Sequence, residues 1–378
     1  MLELEDEERQ QTAEFSLAEA RQIVRELFDP NPWIYWIDFL VSLGLGYACF
    51  GLVRRVPAWS PQQFGLFIAS SLLLYRAALF IHEIVHFRSG SFRAFRVVWN
   101  LLCGIPLLLP SFTYYTHLDH HRRKHFGTKQ DGEYLPLGHQ STWAIWYYLS
   151  QSLVIPGLTV IRFMLLTPLT WLIPAVRRWV HQHASSLVMD PSYVRPLPSR
   201  EVLRVWRLQE LGSCLFCWAV GILLIRGLLY PEALEAAKRL QKPPALLGVL
   251  PIGFLIQAYL TGIAVVLLNS LRTLGAHRFI NDGRELTFVE QLLDSVNYPR
   301  RPLLTGLWAP VGLRFHALHH LFPSLPYHNL AKAHERLMAE LPADSPYRET
   351  AESSLLNALR RLWRLSREAG RKQPASAL

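Results

Sequence analysis

Long apolar runs near residues 33–52, 64–81, 211–230 and 246–268 restrict this chain more than any other feature. Each approaches the roughly 20 residues that an α-helix needs to cross a bilayer. In hydrocarbon a backbone satisfies its own polar groups only as a helix or a closed barrel, and unbroken runs of this length favour helices. The chain is therefore predicted to be an all-α integral membrane protein. Composition agrees, since 51% of its 378 residues are hydrophobic and only 18% are charged.

The runs pair into two hairpins. Arg54, Arg55, Pro57 and Pro61 mark the turn of the first, and Pro231, Lys238, Arg239 and Lys242 that of the second, giving about four transmembrane helices. Two further apolar stretches are broken by turn residues: Phe95 to Thr116 by Gly104, Pro106 and Pro110, and residues 144–175 by Pro156, Pro168 and Pro174, with Arg162 inside. Both read as membrane-embedded elements that do not span. If the first spanned, the histidine clusters on either side of it would face opposite sides of the bilayer. The expected organisation is an amphipathic N-terminal segment at 1–30 with a helix from about Leu17 to Phe28, a membrane domain at 31–335, and a basic C-terminal helix and tail at 336–378, forming a cytoplasmic helical cap.

The formal charge of +10 comes from Lys and Arg placed between and after the apolar runs. The positive-inside bias and anionic lipid headgroups account for them, so no nucleic-acid partner is expected. The start, MLELEDEERQQ, is acidic where a signal peptide is basic and then apolar, and is expected to stay in the cytoplasm. Cys49, Cys103, Cys214 and Cys217 lie in or beside apolar runs and suggest no disulfide framework; Cys214 and Cys217 have redox spacing but no second pair, and read as small buried residues.

Three strings carry the chemistry: His82-Glu83-Ile84-Val85-His86, His117-Leu118-Asp119-His120-His121 and His316-Ala317-Leu318-His319-His320. On a helix, positions i, i+3 and i+4 share a side, so each string can aim its imidazoles one way, and the two hairpins bring all three strings to one membrane face. A catalytic zinc takes about three protein ligands and a structural one about four. Eight imidazoles suit two irons better, and the count points to a dinuclear site at His82, His86, His117, His120, His121, His316, His319 and His320. His125, four residues after His121, is a candidate additional ligand, although its basic neighbours Arg122, Arg123 and Lys124 equally suit a surface. Asp119 is a candidate for orienting a ligand imidazole; Glu83, Asp131 and Glu133 either do the same or pair with arginines. His328 reads as structural, and His139, His181, His183 and His334 as surface or interfacial.

These strings resemble the three histidine boxes, HxxxH, HxxHH and HxxHH, of the membrane fatty acid desaturase and hydroxylase family. The likeness extends to His319-His320-Leu321-Phe322-Pro323 and to an acidic pair, Asp131 and Glu133, after the second box, and it spans about residues 75–330. It implies a non-haem di-iron centre at the cytoplasmic face, O2 as co-substrate and a fatty acyl lipid as substrate. By the same likeness His277, in Gly275-Ala276-His277-Arg278, is the natural ninth ligand. No haem-binding or iron–sulfur segment is fused to the chain, so electrons are expected from an external carrier of the ferredoxin or cytochrome b5 type. The HHLFP continuation favours acyl desaturation; the alternative is a lipid or carotenoid hydroxylase or ketolase. Two rivals stand outside the family: an intramembrane zinc protease built on His82-Glu83-Ile84-Val85-His86, and a metal transporter.

Overall fold

The computed structural model describes residues 15–88 and 90–372; the acidic start at 1–14 lies outside them. Five helices are long and apolar enough to cross a membrane: α1 (Pro32–Leu52), α2 (Pro61–His86), α3 (Ile155–Leu172), α4 (Arg200–Leu229) and α5 (Ile252–Ala276). Among the described residues the only β-pairings are isolated bridges. The protein is an all-helical, multipass membrane protein.

Local chemistry sets the helix starts. The Asn31 side chain accepts from the Trp33 N–H with Pro32 in the first turn, and Ser60 accepts from Gln63 with Pro61 in the first turn. α1 and α2 form the first hairpin and α2 packs on α5. The closest approach within the second hairpin falls at Gly227, where a Cβ would lie 2.0 Å from the Leu250 carbonyl oxygen.

A polar cluster ties α1 to α2: Arg76 of α2 holds Asp38 of α1 at 2.7 Å, and Tyr327 donates to Asp38 at 2.8 Å. In α4 the buried Glu210 follows Arg200, Arg204 and Arg207. Beyond Arg76, α2 continues for about 15 Å to His86, so the first histidine box forms the end of that helix.

α3, expected to be embedded without spanning, is long and apolar enough to span. It contains a π-helical turn at Arg162–Leu166, and the buried Arg162 at its centre donates to Ala184 O, Ser185 Oγ, Thr167 Oγ1 and Glu210. These partners tie the middle of α3 to residues 184–185 and to α4. The stretch between the first two boxes holds no helix of spanning length: it is a short helix, Arg93–Trp99, a π turn at Asn100–Gly104 and a 3-10 turn at Ser111–Tyr114.

The cap is built from the short helices around residues 117–139 and 288–350, with helix Leu355–Lys372 against residues 137–150 and α5. The N-terminal helix, Leu17–Ile23, packs on helix Leu330–Glu340, and His328 accepts from the Asn31 N–H at 3.1 Å, a structural bond. Two histidines expected to be surface or interfacial residues are buried: His181 lies 3.5 Å from Glu210, and His334 bonds the Tyr347 hydroxyl at 2.8 Å. Each is the polar partner of a buried group, a role that sequence spacing does not reveal. The four cysteines are free thiols, with Cys214 and Cys217 buried.

Removing the carboxylate from the Arg162–Glu210 pair leaves a buried guanidinium uncompensated, a change that costs about 3–5 kcal/mol. Glu210→Ala should therefore lower the unfolding temperature in detergent sharply, and the double replacement Arg162→Met with Glu210→Leu should restore most of it. Wild-type stability in Glu210→Ala alone would contradict the anchoring role.

Candidate metal centre

Four segments converge: the end of α2 with His82 and His86, helix His117–His120 with His121 after it, His277 at the end of α5, and helix His316–Leu321. Their imidazoles divide into two groups, His82, His86, His117, His121 and His319 in one and His120, His277, His316 and His320 in the other. Within each group one ring nitrogen per residue lies within 4.8 Å of all the others. The second and third boxes are thus split between groups. Within each box the i, i+4 rings lie closest, with centroids 4.6 Å apart for His117 and His121 and 4.5 Å for His316 and His320, while the i, i+3 rings of His120 and His319 lie farther from His117 and His316, at 5.6 and 6.2 Å, and join the opposite group.

Three buried carboxylates fix ring orientation. Glu133 accepts from His117 Nδ1 at 2.8 Å, Asp131 from His120 Nδ1 at 2.7 Å and Asp294 from His277 Nδ1 at 3.1 Å. A carboxylate partner assigns the proton to Nδ1 and leaves Nε2 with a bare lone pair. The carboxylates are themselves held. Asp131 accepts from the Gly127 and Glu133 N–H groups, each at 2.9 Å, and Asp294 from the Ile280 N–H at 2.9 Å and the Tyr134 hydroxyl at 3.2 Å. Asn297 seats the third box: its side-chain oxygen accepts from the Leu318 N–H at 3.1 Å, and its amide nitrogen donates to Thr350 Oγ1 at 2.9 Å.

The donor set fits metal ions. His121 Nε2 lies 2.9 Å from His117 Nε2 and 3.1 Å from His319 Nε2; His316 Nε2 lies 3.0 Å from His277 Nε2 and 3.1 Å from His320 Nε2. A metal–nitrogen bond of about 2.1 Å places ligands at right angles about 3.0 Å apart. Hydrogen bonding alone satisfies the array poorly, since one Nε2 proton serves only one of its two neighbours. Further buried ring nitrogens, both of His82, Nε2 of His86 and Nδ1 of His121 and His316, have no hydrogen-bond partner.

Electrostatics keep the imidazoles neutral, as ligation requires. Burial and then neighbouring histidines push His117, His121, His316, His319 and His320 well below the ordinary imidazole range. His277 is lowered by burial against the pull of Asp294. His120 goes the other way, because Asp131 outweighs the burial that would lower it. Burial pushes Glu133 up to about 8.

Asp119 and His125 stand outside both groups. Asp119 Oδ1 lies 2.9 Å from Arg122 and 3.4 Å from His125, on the side of the second-box helix turned away from the imidazoles. Glu83 accepts from the Tyr35 hydroxyl at 2.7 Å and the Tyr327 N–H at 3.3 Å, so the glutamate that a zinc protease would use as its base is tied into the core. His82 and His86 lie in the last two turns of α2, and His277 directly follows α5. Tyr114 stacks on His117, with ring centroids 4.8 Å apart, and donates to Glu133. Sequence reasoning missed Asp294, which lies 17 positions from His277 in an ordinary helix. It also passed over Arg272, a buried cation in α5 that acts on Glu133 and Tyr114; an arginine one turn before His277 was the available signal. If the carboxylates orient metal ligands, Asp294→Ala should weaken metal retention about 10- to 100-fold, and Asp119→Ala should leave it unchanged. Metal content after dialysis against graded chelator measures both.

A family model for fatty acid desaturases matches residues 57–351. The chain is similar to a ceramide hydroxylase of Caulobacter vibrioides, with 39% identity over 365 residues that cover 94% of this chain and 96% of that protein. No solved structure matches. A matched region that contains all nine clustered histidines, together with a relative similar over nearly its whole length, places the chain in the fatty acid desaturase family of membrane oxidoreductases.

Proposed function

We propose that this protein hydroxylates a ceramide-type lipid, using O2 and two externally supplied electrons at a di-iron centre. The observation that carries this reading is the near full-length similarity to a ceramide hydroxylase. It supports the hydroxylase alternative over the acyl desaturation that the HHLFP continuation favours. Both outcomes begin with loss of hydrogen from an unactivated carbon, so the box residues alone do not separate them.

His82, His86, His117, His121 and His319 would hold one iron, and His120, His277, His316 and His320 the other. Bound there, iron supplies the O2-dependent oxidising power that breaks an unreactive C–H bond. The protein's part is positional and protective. Glu133, Asp131 and Asp294 hold three rings in the tautomer that ligates, while burial excludes water and keeps most of the other imidazoles unprotonated. For each hydroxyl introduced, one oxygen atom of O2 enters the lipid and the other leaves as water, consuming two electrons and two protons.

Those electrons would come from an acidic carrier. Arg88, Arg93, Arg122, Arg123 and Lys124 are exposed on the face that bears the histidines, and Arg96, partly buried, donates to the Phe87 and Arg88 carbonyls. This basic face also supports a cytoplasmic location for the centre under the positive-inside rule.

In a host supplied with ceramide and a compatible donor, the wild type should yield lipid heavier by one oxygen atom, labelled when 18O2 is used, and His320→Ala should yield none. Lipid lighter by two hydrogens would return the assignment to desaturase. Purified protein should carry iron at both histidine groups; a single zinc with no iron would sink the di-iron reading. Turnover limited by carrier docking should slow as salt rises, and indifference to salt would remove the electrostatic docking face.

A further inference from the structure

Helix Leu355–Lys372 carries five arginines and one lysine against a single acid, Glu368. Arg360, Arg364, Arg367 and Arg371 are spaced four, three and four residues apart, which puts them on one side of the helix in a row about 17 Å long. All four are exposed, and among the described residues none has a carboxylate partner. The fifth, Arg361, is partly buried and pairs with Glu352. The opposite side of the helix is buried through Ala358, Leu362 and Ser366. Packing of that side fixes the rotation of the helix and turns the arginine row away from the protein.

The helix lies across the ends of two apolar elements. At its start Leu355 packs on Gly275 in the last turn of α5, where an added Cβ would come 2.4 Å from Leu355 Cδ1. About 17 Å further along the axis, Ser366 donates to Gln140 O at 2.7 Å, just before helix Thr142–Ser150. That helix leads inward: Leu153 O, shortly past its end, accepts from the Tyr259 hydroxyl at 2.6 Å, well within the length of α5. On one flank of the arginine row Leu356 and Trp363 are exposed, and Trp363 stands edge-on to Trp146 with ring centroids 5.4 Å apart. The aromatic surface continues through Trp143, 78% exposed, and Tyr147, 61% exposed.

We propose that this face docks on anionic phospholipid headgroups in the leaflet on the side of the histidine groups, with the arginine row among the phosphates and the tryptophans just beneath them. Charge complementarity decides the occupant: four guanidiniums in line, without carboxylate partners, meet a surface of phosphates, and each planar fork can take two phosphate oxygens. The aromatic flank separates a lipid surface from an acidic protein, because Trp and Leu beside a basic stripe are the composition of helices that lie in the membrane interface. Trp146, moreover, belongs to a helix that continues into the apolar layer. Because Leu355 abuts Gly275, two positions before His277, the docked helix braces the end of α5 that presents a clustered ring. The proposal holds whichever reaction the histidine groups carry out.

The test uses the full-length protein. Native mass spectrometry in detergent should show wild type binding phosphatidylglycerol in preference to phosphatidylcholine, with the preference falling as salt rises. Arg364→Gln should cut that preference about fivefold, the equivalent of about 1 kcal/mol for one basic residue at an anionic surface. Glutamine at all four positions should abolish it, lysine at all four should keep most of it, and iron content should be unchanged in both, which separates loss of lipid from loss of the fold. In nanodiscs, adding phosphatidylglycerol to phosphatidylcholine should slow hydrogen exchange across residues 355–372 in wild type and leave the four-glutamine variant unaffected. Equal binding of the two lipids by wild type would overturn the proposal, as would a preference that survives the four glutamines or is lost equally when Arg122, Arg123 and Lys124 are replaced by glutamine. If the four glutamines slow electron delivery from an acidic carrier but leave lipid binding intact, the row belongs to the carrier and the lipid assignment fails.

Discussion

The histidine centre depends on imidazole rings that stay unprotonated while packed against one another away from water. Desolvation disfavours the charged form, and a proton on one ring would repel a proton on the next. Burial alone does not choose which nitrogen faces inward. At His117, His120 and His277 a buried carboxylate makes that choice by taking the Nδ1 proton. The carboxylates are stabilised in turn by backbone N–H groups at Asp131 and Asp294 and by tyrosine hydroxyls at Glu133 and Asp294. The centre is thus a layered set of hydrogen bonds that runs from backbone to carboxylate to ring.

The long helices serve this arrangement with their ends. α2 ends at His86 and α5 just before His277, and the short helices of the second and third boxes meet them there. Helix ends are good places for such ligands, because the rest of each helix is fixed in register by its apolar packing and by interface pairs such as Asp38 with Arg76. The single bridge between His277 and Ser295 and the Asn297 contacts then tie α5 to the third box without a sheet.

Much of this was legible from sequence. Apolar run length gave both hairpins, and histidine spacing brought out eight of the nine clustered rings, while the prolines and Arg162 hid a continuous helix of spanning length at Ile155–Leu172. The split into two groups was not legible, since it depends on how three short helices are rotated about their axes in the cap. Asp119 drew attention because it lies inside a box, yet it pairs with Arg122 and His125 outside both groups. Asp131 and Glu133 were visible because they follow the second box closely. Asp294 was hidden because an acidic residue ending an ordinary helix has no signature until the fold brings it to His277. The burial of His181 and His334, read as surface or interfacial, was missed because burial of a lone histidine leaves no periodic trace.

The interleaving of the boxes bears on how such a protein comes into being. One group needs His319 and the other needs His316 and His320, so neither is complete until the last of the three boxes has been synthesised and α5 has been placed in the bilayer. Through much of its synthesis the chain holds only fragments of two coordination spheres, with the second-box rings committed to both. Full occupation of either group would therefore follow membrane insertion, and the assembled helices, rather than any local peptide motif, would form the vessel into which ions are loaded.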